Sequence, residues 1–242
     1  MTAPLVCLHG TFGQASDWNQ LADDLGREVI APDLPGHGAR YAEPANSFAD
    51  TVRELVGQIP PGADLLGYSL GGRLALAVAR QARVRSLAIE SAHPGLAGEQ
   101  AAARAVADDA GADQLAADPA LFMERFYGAS LFESFRALPQ FRTIASDRLA
   151  RARRDPAALA ATLRALSPGR QPDLAPALAA TQSPTLFVAG AKDPKYTELG
   201  ARLARTCEHV QLAVIPNAGH NVHLEQPGAF AQTVRAFWGT LA

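Results

Sequence analysis

The sequence predicts an α/β fold with a mostly parallel central sheet, interrupted once by an all-helical insertion. Three observations carry this. Short apolar runs of strand length alternate with segments of helical spacing, the pattern of parallel strands joined by right-handed crossovers. At residues 67–71 a Gly-x-Ser-x-Gly stretch sits between an apolar run (Leu65, Leu66) and an Ala-rich, helix-favouring one, so a strand is expected to turn sharply into a helix there. From residue 94 the texture changes: residues 94–181 read as helix throughout, broken at Gly111, Pro119, Pro139, Pro156 and Pro168.

Taken in order, residues 4–8 form a short buried strand that runs into the loop His9-Gly10-Thr11-Phe12-Gly13. Ser16 or Asp17 caps a helix reaching about Leu25. Residues 28–32 are the next strand, ending in the turn-rich Asp33-Leu34-Pro35-Gly36-His37-Gly38. Ser47 caps a helix over 48–58, whose Val52, Leu55, Val56 and Ile59 share one face. Residues 64–67 are the strand before the Gly-x-Ser-x-Gly turn. Residues 70–82 are the helix after it, apolar nearly all round and therefore buried. A strand at 84–90 closes the first part of the core, 1–93. The insertion spans 94–181. The core resumes over 182–242 with a strand at 183–190, a helix from about Lys195 to Arg205, a strand at 210–215 and a helix from Pro227 to Leu241.

Composition narrows the function classes. With 242 residues, 48% of them hydrophobic, the chain can build one large core, and a net charge of −2 gives no whole-protein field for nucleic acid. The insertion carries ten acidic residues and ten arginines, so it is not basic either. Two cysteines, Cys7 and Cys207, give neither a disulfide framework nor metal-ligand spacing, and no metal or cofactor is expected. No apolar run approaches a membrane span, and the opening Met-Thr-Ala-Pro has no secretory character. The expected setting is the cytoplasm, without a membrane partner.

A serine hydroxyl is inert at neutral pH unless a base takes its proton, and a neutral imidazole needs a third group to fix its tautomer. Ser69, Asp193 and His220 fall in the chain order serine, acid, histidine, each just beyond a predicted strand. Parallel sheets gather their sites at those carboxyl ends. Asp193 could instead merely cap the helix that follows it. His220 has a rival in His223, but its position in a Gly-containing loop favours it. The backbone N–H groups of Leu70 and Thr11 are the expected oxyanion hole. His9, Asp33 and His37 are expected to hold loops rather than to react.

The stretches His9-Gly10, Asp33-Leu34-Pro35-Gly36-His37-Gly38, Gly67-Tyr68-Ser69-Leu70-Gly71-Gly72, Asp193 and Gly219-His220 together resemble the α/β-hydrolase superfamily. A narrower likeness rests on Gly67-Tyr68-Ser69-Leu70-Gly71-Gly72-Arg73, Glu90 with His93-Pro94-Gly95-Leu96, Gln171-Pro172-Asp173-Leu174, and Gly219-His220-Asn221 with His223 and Glu225. It is similar to the 2-succinyl-6-hydroxy-2,4-cyclohexadiene-1-carboxylate synthases of menaquinone biosynthesis, along nearly the whole chain.

That resemblance implies an α/β-hydrolase fold with a helical cap and a pyruvate-eliminating lyase in which Ser69 is a base. It implies a small polycarboxylate substrate, held by Arg73, Arg104 and Arg151 with Tyr68 and Phe126 as aromatic walls. Arg148, Arg153 and Arg154 crowd Arg151, so that assignment is the least fixed. Thr11 stands where an aromatic is common in the family, and Phe126 where relatives can carry Trp. The expected assembly is a monomer or weak homo-oligomer. The competing reading on the same machinery is a serine-triad carboxylesterase or carbon–carbon-bond hydrolase. A non-enzymatic binding protein fits least, since every triad position is filled.

Overall fold

The computed structural model describes residues 3–181 and 183–241; residue 182, the expected start of the second part of the core, lies outside them, as do 1, 2 and 242. Six strands form one sheet: β1 (Leu5–Leu8), β2 (Val29–Ile30), β3 (Ala63–Tyr68), β4 (Val84–Glu90), β5 (Thr185–Gly190) and β6 (Val210–Ile215). Their order is β2-β1-β3-β4-β5-β6 and every pairing is parallel. β1, β3 and β5 are buried at every position, as strands covered by helices on both faces should be; the one charge among them, Asp64 of β3, is paired with Arg27 and Arg85.

Twelve α-helices and three short 3₁₀ turns complete the described chain; the α-helices are α1 (Asn19–Leu25), α2 (Phe48–Gln58), α3 (Leu70–Val78), α4 (Gly98–Ala117), α5 (Pro119–Gly128), α6 (Glu133–Arg136), α7 (Phe141–Ala152), α8 (Pro156–Ala165), α9 (Ala175–Ala180), α10 (Pro194–Thr206), α11 (Val222–Glu225) and α12 (Pro227–Gly239). The sheet separates two apolar clusters. Leu8, Leu65, Leu74, Ile89 and Phe187 pack with α2, α3 and α10 on one face; Trp18, Leu66, Val188, Phe230 and Trp238 pack with α1 and α12 on the other. Between β4 and β5 every regular element is helical. These helices share an aromatic cluster of Tyr127, Phe132 and Phe135 that takes in Phe12 from the loop after β1. No described helix is long and apolar enough to cross a membrane.

Several elements differ from expectation for local reasons. β2 keeps only two of five expected residues. It is an edge strand with Ile30 partly exposed, and Pro32, lacking an N–H, cannot extend a ladder. Neither Ser16 nor Asp17 caps the helix below it. A 3₁₀ turn over Ala15–Trp18 precedes α1, and Asp17 instead pairs with Arg148 of α7 at 3.1 Å. α3 stops at Val78 rather than 82. Ser47 does cap α2, accepting from the Asp50 N–H. Cys7 and Cys207 are free and buried.

Candidate active site

The carboxyl edge of the sheet brings the chemistry together. The chain runs from β1 to β2 on one side and from β3 onward on the other, so the crevice opens where the strand order reverses. Ser69 follows β3 directly, with φ 50° and ψ −107°, a left-handed conformation that a non-glycine residue holds only when its surroundings over-determine it. The surroundings do so. A Cβ on Gly67 would overlap the carbonyl of Gly71, and a Cβ on Gly71 would overlap the carbonyl of Leu8 at the end of β1. The Ser69 N–H is tied to the Glu90 carbonyl at 2.9 Å. The hydroxyl is thereby held at the N-terminus of α3, where partial positive charge favours developing negative charge.

His220 follows β6 and Asp193 follows β5. His220 Nδ1 lies 2.9 Å from Asp193 Oδ2, and His220 Nε2 lies 3.4 Å from Ser69 Oγ. A carboxylate oxygen can only accept, so Nδ1 carries the proton and Nε2 faces the serine as a base. The serine contact is long, as resting sites often are before substrate tightens them. The two readings of Asp193 turn out to be compatible: Oδ1 accepts the Tyr196 N–H at 3.3 Å, capping α10, while Oδ2 serves the histidine. His223, the rival, is committed elsewhere. Its Nδ1 bonds the buried Glu90 carboxylate at 2.8 Å and its ring stacks on Trp18.

The Thr11 and Leu70 N–H groups make no hydrogen bond among the described residues, and both residues line one cavity of about 190 Å³. Thr11, Leu70 and Arg73 form its core side; Arg104, Phe126 and Leu163 form its helical side. Two unpaired N–H donors on one cavity wall, one of them on the residue after Ser69, have the chemistry to stabilise an oxyanion.

Arg73 is the unusual group. It is 7% exposed, one helical turn past Ser69. Nη1 donates to Gln171 Oε1 at 2.7 Å and Nη2 to the Leu166 carbonyl at 2.9 Å. Gln171 is fixed in turn by donating to the Pro94 carbonyl. Both acceptors are neutral, and no carboxylate of the described residues is within ion-pair reach. Burial therefore pulls the guanidinium down to about 10. A buried cation held by neutral acceptors at a cavity wall is suited to an anionic ligand, since its charge is not already matched.

The other predicted residues divide. Arg104 lines the cavity but is exposed and bonded to Asp108 at 2.9 Å. Arg151, half-buried, lines a smaller recess beside Arg148 that shares Phe12, His37 and Leu159 with the Arg73 cavity. Its neighbour Arg148 is taken up structurally, between Asp17 and the Tyr127 hydroxyl. Phe126 stands edge-on to Phe12 with ring centres 5.0 Å apart. Tyr68 is buried beneath the triad, 5.5 Å from the His220 ring and 4.9 Å from His223, and burial raises its hydroxyl well above the ordinary value.

His9, Asp33 and His37 hold loops. His9 Nε2 accepts the Leu34 N–H, Asp33 accepts from Ala15 and Ala39, and His37 Nδ1 bonds the Pro35 carbonyl. Sequence reading missed Phe12 as a cavity wall, Gln171 as the partner of Arg73, and Tyr196, whose ring lies 5.0 Å from His220. Only Gln171 had a signal, its place in a motif, with nothing in the sequence to say what it touches.

Comparison with known proteins gives the family. The model of the alpha/beta hydrolase family matches residues 5–233. The 2-succinyl-6-hydroxy-2,4-cyclohexadiene-1-carboxylate synthase of Pectobacterium atrosepticum is 35% identical over 244 residues, spanning 96% of this chain and 92% of the relative. Among solved structures, MenH from S. aureus superposes with a TM-score of 0.90 at 28% identity, covering 99% of this chain and 94% of that one. A thermophilic esterase from Thermogutta terrifontis, solved with malate bound, superposes with a TM-score of 0.84 at 25% identity, covering 100% and 91%.

Proposed function

The chain belongs to the α/β hydrolase family and, within it, to the 2-succinyl-6-hydroxy-2,4-cyclohexadiene-1-carboxylate synthases, and from that premise we propose that its triad works by proton abstraction, with Ser69 as the base. The substrate is 2-succinyl-5-enolpyruvyl-6-hydroxy-3-cyclohexene-1-carboxylate. Its ring proton at carbon 2 lies α to the succinyl carbonyl and is therefore the acidic one. Ser69 Oγ takes that proton while His220 Nε2 takes the serine's, and Asp193 Oδ2 steadies the imidazolium through Nδ1.

The negative charge passes to the succinyl oxygen, where the Thr11 and Leu70 N–H groups receive it. A contact of that kind is worth about 10²–10³ in rate. The electron pair then forms the C2–C3 double bond, the ring double bond moves to C4–C5, and the C5–O bond breaks. The departing enolpyruvyl group regains a proton and leaves as pyruvate. Nothing is oxidised or reduced, so the step calls for no redox cofactor.

The observation that carries this reading over ester hydrolysis is Arg73, a buried cation with only neutral partners one turn from the serine. A neutral ester would gain nothing from it, whereas a carboxylate completes it, with the planar guanidinium suited to two-point contact. Arg104 and Arg151 take further carboxylates, and Phe126 and Phe12 pack against the ring. The helices of residues 94–181 act as a cap over the two core segments. The enzyme works in the cytoplasm as a monomer or weak homo-oligomer.

The second reading, a carboxylesterase, draws on the esterase likeness and on a triad equally able to perform acyl transfer. Supplying the enolpyruvyl substrate and following pyruvate separates the two. Rapid pyruvate release with slow cleavage of p-nitrophenyl acetate is expected; efficient ester cleavage without pyruvate release overturns the lyase reading.

A further inference from the structure

The loop that carries His220 has a feature the triad does not explain. Glu225, the last residue of α11, turns its side chain back onto that loop. Oε2 accepts the Gly219 N–H at 2.8 Å and Oε1 accepts the Asn221 N–H at 3.1 Å. These are the two peptide N–H groups that flank the histidine, and each takes one oxygen of the same carboxylate. Glu225 is 6% exposed and forms no ion pair with a cation of the described residues. A buried carboxylate without a counter-ion is costly unless its oxygens are hydrogen-bonded, and here the bonds go to the backbone on both sides of one residue.

We propose that Glu225 is a positioning residue for His220: its carboxylate clamps the backbone on either side of the imidazole, so that Nδ1 meets Asp193 and Nε2 meets Ser69. Helix capping alone would be served by one bond to Asn221, at the start of α11; the second, to Gly219, lies outside the helix. The loop is pressed from the other side as well. Ser134 of α6 sits where a Gly219 Cβ would stand, and the Phe132 ring lies edge-on to His220 at 5.8 Å. The clamp therefore works against a fixed wall, and releasing it lets the ring tilt. Misplacement of a catalytic group by about 1 Å costs on the order of 10²-fold.

The requirement is for two acceptor oxygens. In Glu225→Gln the amide offers one oxygen and turns an N–H₂ toward a second N–H, so one of the two bonds is lost. The proposal rests on His220 being the catalytic base, and its test separates from the identity of the substrate. First, the Nδ1 proton of His220, bonded to Asp193, is followed by proton NMR in the protein without substrate. Wild type shows a far-downfield resonance; E225Q is expected to shift or broaden it at a temperature where the fold is intact. Second, turnover is measured on the enolpyruvyl substrate and on p-nitrophenyl acetate. On whichever substrate the wild type turns over, kcat falls about 10- to 100-fold with KM within threefold, since Arg73 is held by Gln171 and Leu166 and not by this loop.

An unchanged resonance with unchanged kcat overturns the proposal, as does a loss confined to KM. Should E225Q fail to fold, Glu225→Asp is read in the same way. It keeps both oxygens on a shorter stem and is expected to retain the resonance with an intermediate loss of kcat; wild-type kcat in E225D overturns the clamp.

Discussion

Replacing Arg73 with methionine separates charge from shape at the site. The side chain is buried among Gln171, the Leu166 carbonyl and the cavity, and methionine fills much of the same volume. Two effects on stability oppose one another. Gln171 Oε1 and the Leu166 carbonyl lose a donor, at about 1–3 kcal/mol each if they stay dry. Against that, a guanidinium already pulled to about 10 by burial is no longer held in a low-dielectric wall. The melting temperature should therefore move by only a few degrees.

Substrate recognition has no such compensation. Removing one partner of a buried ion pair costs about 3–5 kcal/mol, and at 1.4 kcal/mol per tenfold this is roughly 10²–10³ or more in kcat/KM. The assay is steady-state pyruvate release by R73M beside hydrolysis of p-nitrophenyl acetate, which has no carboxylate to lose. A drop of two to three decades is expected on the first and a change within threefold on the second. An equal fall on both substrates, or none on the lyase substrate, would refute it and make Arg73 a packing residue.

Two other perturbations test the scaffold. Gly71→Ala places a Cβ against the Leu8 carbonyl, which cannot give without moving β1, so an overpacking cost of about 1–3 kcal/mol is expected. At about 2–4 °C per kcal/mol for a chain of this size, calorimetry should show a lowered melting temperature, and activity should fall because Ser69 and Leu70 move with the turn; an unchanged Tm would contradict the close approach. Burial drives the His37 imidazole down to about 3 from an ordinary 6.5. Below pH 6.5 the unfolded chain takes up a proton that the folded chain refuses until about pH 3. The stability this group contributes is thus whole above 6.5 and lost progressively as pH falls toward 3. His37→Asn can keep the donor to the Pro35 carbonyl without titrating, so its urea midpoint should fall less between pH 7 and pH 4; an acid limb as steep as wild type would count against this.

Much of the fold was legible because strands buried on both faces are short and largely apolar, and β1, β3 (Asp64 apart) and β5 are of that kind. β2 is shorter than its sequence suggests because apolar residues at a sheet edge look like those in its middle, and Pro32, without an N–H, stops the ladder from extending. Ser69 was legible for a steric reason: only glycine at 67 and 71 allows the carbonyls of Gly71 and Leu8 to come so near.

Gln171, 98 positions from Arg73, and Glu225, behind His220, were not legible as partners, because spacing along a chain says nothing about which loops meet across it. The cap arginines show the same limit more sharply. Arg148 and Arg151 lie one helical turn apart on α7 and border the same recess, yet Arg148 is spent on Asp17 and Tyr127 while Arg151 forms no ion pair among the described residues. Which of two neighbouring arginines is free depends on a carboxylate more than a hundred residues away.

The central claim is that Ser69 removes a proton rather than forming a bond to carbon. It is tested most directly with substrate deuterated at ring carbon 2, under single turnover, with quenched enzyme examined by intact mass. One deuterium should be lost for every pyruvate released, with Ser69 unmodified at every time point. A covalent adduct on Ser69 that rises and decays with turnover would contradict it.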